Sequence, residues 1–173
     1  MLGSFITFAC TGKIELLTSK QNLDIKLLTG SGNDEIVWHI KNVKMTNQYL
    51  NETTRDIKKG EAITIEGESD SKTRSTPFFP GGVGGKKQPI FILEDTQGNQ
   101  YKSQMEEVTS GKLTSDGGEN DEFSVVFGIK DNGTSNESIR KWADLIIADP
   151  DDKNSNLPDH KVSLGAFDVG SNN

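Results

Sequence analysis

A single cysteine, Cys10, in 173 residues excludes an intramolecular disulfide framework. It falls in the apolar run from Phe5 to Cys10, where cysteine behaves as a small hydrophobe, so it is read as core. Histidine is nearly as scarce: His39 and His160 are the two in the chain, which leaves little for Cys/His nucleophilic catalysis or for a zinc site. His39 is expected on a strand, facing the surface or a partner, and His160 in a polar loop. No apolar run approaches the length of a membrane span, and no basic residue precedes the short N-terminal run. The expectation is a chain with no transmembrane segment or signal peptide, working in the cytoplasm or within an assembled particle. Hydrophobic residues make up only 32% of the chain, so the core is modest, and 18 glycines place much of the rest in turns.

What the chain does have is charge, unevenly spread. Residues 1–50 sum to +1, residues 51–100 to −1 and residues 101–173 to −7, so the net charge of −7 resides in the C-terminal part. Binding duplex DNA over the whole surface needs clustered Lys and Arg, and this balance argues against it.

Strand patterns dominate, and the length suits a single domain. Residues 4–17, the alternation Leu23, Ile25, Leu27, and the alternation Ile36, Trp38, Ile40 read as three half-buried strands in a meander. A polar stretch from Thr46 to Lys59 leads to a short strand carrying Ile63 and Ile65 that stops at Gly67. Residues 90–93 and 100–103 read as a hairpin whose turn is built on Asp95 and Gly98. Residues 108–122 read as an acidic connection, residues 123–127 as a strong strand, and residues 161–169 as a last strand. Thr134 and Glu137 stand at capping-box spacing before Ile139, Trp142, Ala143 and Ile146, which predicts one amphipathic helix over 135–148 with Trp142 as its anchor. The predicted fold is mainly β: an antiparallel sandwich or barrel with that helix packed on the sheet.

Motifs for bond-making chemistry fail on inspection. Pro80-Gly-Gly-Val-Gly-Gly-Lys86-Lys87 has the glycine content of a phosphate loop, but Pro80 stands where the first glycine is needed and Lys87 where magnesium needs Ser or Thr. A strand follows instead of a helix. The acidic clusters 116–122 and 149–152 lack the spaced ligands of an EF-hand and read as solvated turns. The chain is therefore expected to be no enzyme and to hold no cofactor or metal.

The informative segment is the long loop 68–89. From Ser71 to Leu93 there is no acidic residue, while Lys72, Arg74, Lys86 and Lys87 flank Phe78 and Phe79. Two large apolar side chains in such a loop imply a cover. In one reading the cover is another copy: the chain is a structural subunit of a phage or viral particle, or of a tail or secretion tube, and its basic loop lies on the acidic C-terminal part of the next subunit, with Phe78 and Phe79 as the buried anchor. In another, the strand pieces Gly60-Glu-Ala-Ile-Thr-Ile-Glu-Gly67 and Pro89-Ile-Phe-Ile-Leu-Glu-Asp-Thr-Gln-Gly-Asn99, joined by the basic loop, resemble those of an OB-fold single-strand-binding module, over about a quarter of the chain. That resemblance implies single-stranded nucleic acid as partner, with the four cations on phosphates and Phe78 and Phe79 stacking bases at roughly 1–3 kcal/mol each. Trp38 and Tyr101 would extend the platform if they face outward; otherwise they are core. A small adaptor or inhibitor, with the loop folded on its own surface, is the third reading.

Overall fold

The computed structural model describes residues 14–29, 35–50, 57–71, 90–103, 105–113, 119–129, 136–148 and 161–167. In chain order these form β1 (Leu16–Lys20), β2 (Ile25–Thr29), β3 (Ile36–Leu50), β4 (Ile57–Ser71), β5 (Ile90–Glu94), β6 (Gln100–Lys102), β7 (Met105–Leu113), β8 (Glu119–Gly128), α1 (Asn136–Lys141), β9 (Ala143–Ala148) and β10 (Lys161–Gly165). The larger sheet runs β1-β3-β4-β8-β7, with β2 also on β3, and the smaller runs β10-β9-β5-β6. All pairs are antiparallel. Among the described residues neither sheet closes into a barrel.

Strand β3 shows how the sequence builds the larger sheet. Ile36, Trp38 and Ile40 alternate on one phase and Val43 and Met45 on the other, yet all five are buried. A register shift against β4 between Ile40 and Asn42 reconciles them: Lys41 is the extra residue of a bulge, and the bulge returns both sets to the core face. The same bulge splits the partner strand. β1 and β2 do not form a meander with β3 but lie end to end along it, and between them the Leu23 backbone N–H donates to the Lys41 carbonyl at 2.9 Å. Opposite the bulge, on β4, Gly67 is required by close approach, since a Cβ there would lie 2.0 Å from the His39 carbonyl oxygen and 3.0 Å from the Phe123 ring.

The two sheets meet through aromatic rings. Trp38 of β3 stands edge-on to Phe91 of β5 at 5.7 Å between centroids and to Phe123 of β8 at 5.5 Å, and Phe91 and Phe123 stack at 5.9 Å. The indole N–H donates to Thr29 Oγ1 at 2.8 Å, so the one polar atom of the ring is satisfied inside the core. At one side the sheets are tied by Lys20 of β1, whose ammonium donates to the Leu164 carbonyl of β10 at 2.8 Å and lies 4.7 Å over the Phe167 ring.

Several expectations need correcting. The helix predicted over 135–148 is one short helix, α1, followed directly by strand β9. The reason is local ambiguity: Leu145, Ile146 and Ile147 form a short apolar run, which helical and fully buried strand patterns share. β9 lies between β5 and β10 and is buried on both faces, so it shows no alternation. Trp142 does not anchor anything; it is 42% exposed and donates to Asp144 Oδ1 at 3.0 Å. What holds α1 is Ile139, fully buried, and an ion pair from Arg140 to Glu61 of β4. The polar stretch 46–59 is not a connection throughout, because β3 continues to Leu50 and β4 begins at Ile57, their ends paired across. The acidic connection 108–122 contains most of β7 and the start of β8. Of the first predicted strand, residues 4–13 lie outside the described residues, as does Cys10, and β1 starts only at Leu16.

The β5–β6 hairpin matches its prediction, with Gly98 at φ +81°. Asp95 organises the turn from a buried position, 4% exposed. Its Oδ1 accepts the backbone N–H groups of Gln97 and Asn99, each at 2.9 Å, while Oδ2 accepts the Asn99 side-chain amide at 2.9 Å and the Tyr101 hydroxyl at 3.3 Å. Burial alone would raise the Asp95 carboxyl; the bonds from Asn99, Gln97 and Tyr101 outweigh it and hold the group below its usual value. A folded-state value below the unfolded one contributes stability that is present above the ordinary carboxylate range and lost as pH falls through the lowered value. Asp95→Ala is accordingly expected to cost about 1–3 kcal/mol at pH 7, and progressively less as the pH falls through that lowered value. Urea midpoints of both proteins across that range check it. A penalty that does not change with pH would show that the carboxylate charge plays no part.

Candidate interaction surface

All six side chains predicted to form the interaction site, Lys72, Arg74, Phe78, Phe79, Lys86 and Lys87, lie outside the described residues, as does His160. The structure does place the ends of their segment. Residues 68–71, assigned above to the loop, are the last four of β4, so the connection begins at residue 72 and ends at Ile90, the first residue of β5. It thus links the centre of the larger sheet to the smaller one. Ser71 is paired with Ile36 on one side and Glu119 on the other.

Strand β4 aims its side chains two ways. Ile63, Ile65 and Ser69 are buried, whereas Glu66, Glu68 and Asp70 face outward between β3 and β8. Their outward neighbours follow from register. Val37, Asp70 and Asn120 form one row across β3, β4 and β8; His39, Glu68 and Glu122 the next; Asn42, Glu66 and Ser124 the third. Leu28 of β2 extends the first row beside Val37 and is 47% exposed.

Two of these outward carboxylates are engaged by neighbouring side chains. Lys44 reaches Glu66 Oε1 at 2.8 Å. Asp70 is held by both neighbours: His39 Nε2 lies 2.7 Å from Oδ2, and the Asn120 amide donates to Oδ1 at 2.5 Å. Glu68 and Glu122 differ. They stand directly opposite each other on the two central strands, and among the described residues neither has an ion-pair partner. Like charges in that position are destabilising, by about 0.2–1 kcal/mol. They line a groove of about 330 Å³ together with Gly67, Phe123 and Lys41, the bulge residue.

His39 therefore does face outward, as read from sequence, but its ring is engaged with Asp70. Trp38 and Tyr101 do not: both are fully buried, so neither offers a stacking surface for bases. Asp121, inside a cluster read as a solvated turn, points into the core beside Ser69 on β4 and is 2% exposed. Among the described residues no group of three or more His, Cys, Asp or Glu side chains could hold a metal ion, and no helix is long and apolar enough to cross a membrane. Compared with known proteins, the chain matches no family model, no curated protein and no solved structure.

Proposed function

We propose that the chain is a non-enzymatic β-sandwich subunit of a repeating assembly, such as a phage or viral particle or a tail or secretion tube, and that it self-associates through the segment 72–89. One observation carries this reading. A stretch without acidic residues, holding Lys72, Arg74, Lys86, Lys87 and the pair Phe78 and Phe79, connects to the end of β4, a central strand of the sheet whose outer face bears Glu68 and Glu122, which have no ion-pair partner among the described residues. One molecule thus carries both a cationic, aromatic element and a pair of facing carboxylates, a condition for head-to-tail contacts that close into rings or extend as filaments. The buried core of such a contact would be apolar, with charges setting register at its rim.

The test is the native mass by light scattering over a concentration series at physiological salt. Mass rising with concentration to a ring or polymer is the expected outcome. A monomer at every concentration would remove the reading and make single-stranded DNA the next partner to assay. Salt separates the two partners: affinity for phosphates falls log-linearly with salt, whereas a contact anchored by Phe78 and Phe79 persists.

A further inference from the structure

The geometry points to the groove at Glu68 and Glu122 as the acceptor for the basic segment of a second copy, an inference that rests on the self-assembly reading above. Two independent features of the outer face select this occupant. The first is charge. Glu68 and Glu122 oppose each other across β4 and β8 with no counter-ion among the described residues, although Glu66 and Asp70 on the same face are both engaged. A fold that keeps two like charges side by side at the centre of a sheet is stabilised by any cation seated between them, and Lys86-Lys87 supplies two adjacent ammonium groups.

The second feature is apolar. One row away from Glu68, Leu28 and Val37 are neighbours on the same face, Leu28 nearly half exposed. The aliphatic pair lies one row along and two strands across from the two carboxylates, on the order of 12 Å, a span that a segment of 18 residues can bridge with cations against the carboxylates and an aromatic ring on the aliphatic pair. The segment 72–89 has that composition: cations at both ends and Phe78 and Phe79 between them.

The experiment is a complementary charge reversal on the full chain. Glu68→Lys with Glu122→Lys makes the face cationic; Lys86→Glu with Lys87→Glu makes the segment anionic. Each double variant alone is expected to move the midpoint of self-association, measured by light scattering, at least tenfold to higher concentration. An equimolar mixture should recover the wild-type midpoint, since each copy then offers the partner that the other lacks. The quadruple variant should also recover it, which guards against loss by misfolding, as does an unchanged circular dichroism melt. If the wild type associates and the face variant associates equally well, the groove is not the acceptor while the self-assembly reading stands. If both double variants lose association and neither the mixture nor the quadruple variant restores it, the two sites act in separate contacts and the inference falls. A wild type that stays monomeric removes the self-assembly reading itself, and this inference with it.

Discussion

Trp38→Ala is expected to cost about 3–5 kcal/mol of folding stability, the largest effect of any substitution in the described core. Three losses combine at this position. The indole is fully buried and is the element of β3 that reaches the opposite sheet, edge-on to Phe91 at 5.7 Å. Its removal also strips Phe123 of an edge-to-face partner at 5.5 Å, and such pairs add about 0.5–1.5 kcal/mol beyond the area that they bury. Thr29 Oγ1, 7% exposed as a residue, loses its donor. A domain of this size has about 5–15 kcal/mol in total, so the variant would be close to unfolding at ambient temperature. Urea denaturation followed by circular dichroism measures the loss, and Trp38→Phe should lie between the two because a ring is kept while the hydrogen bond is not. Fluorescence gives a second readout: the exposed Trp142 alone would remain, so emission should shift to the red even in the folded variant. A loss of less than about 1 kcal/mol would mean that the two sheets do not depend on this contact.

The parts of the fold legible in the sequence are those where one face is wet and one dry. Ile36, Trp38 and Ile40 declare a strand by period two, and Asp95 with Gly98 declares a turn by chemistry, since a carboxylate that accepts two backbone N–H groups and a glycine at positive φ leave few alternatives. Period fails where both faces are buried. β9 carries Leu145, Ile146 and Ile147 without alternation, and only its position between β5 and β10 distinguishes it from a helix. It also fails where polarity masks pairing: residues 46–50 and 57–59 extend the two longest strands although they read as a polar connection.

The outer face was hidden for a related reason. Glu66, Glu68 and Asp70 alternate with Gly67 and Ser69, a period of two written in charged and small residues instead of apolar ones. Gly67 reads as a strand end, yet it is there because the bulge at Lys41 brings the His39 carbonyl too close for any Cβ. Taking Gly67 as a close approach would have carried β4 to Ser71 and brought Glu68 opposite Glu122. The bulge itself was signalled by the change of phase between Ile40 and Val43. Nothing local, by contrast, announces that Asp121 turns inward and Glu122 outward, because that depends on which register β8 adopts against β4.

Phe78→Ala combined with Phe79→Ala is expected to abolish self-association at concentrations where the wild type assembles, while leaving the fold intact. Truncating an aromatic anchor in a desolvated contact typically costs 2–4 kcal/mol, and every 1.4 kcal/mol is tenfold in affinity, so the pair together should weaken the contact by at least about a hundredfold. The fold should be spared because Trp38, Phe91, Phe123, Leu93 and Leu145 form one buried cluster among the described residues. Stability of the monomer should therefore change by no more than about 0.5 kcal/mol, the range of substitutions away from a core. Light scattering and urea denaturation on the same preparations make the outcomes exclusive. Lost association with unchanged stability places the rings at a contact between copies. Unchanged association with a loss of several kcal/mol would place them inside their own subunit, and the self-assembly reading would lose its anchor. If both properties remain as in the wild type, the segment is a spacer, and Glu68 and Glu122 would have to find their counter-charge elsewhere.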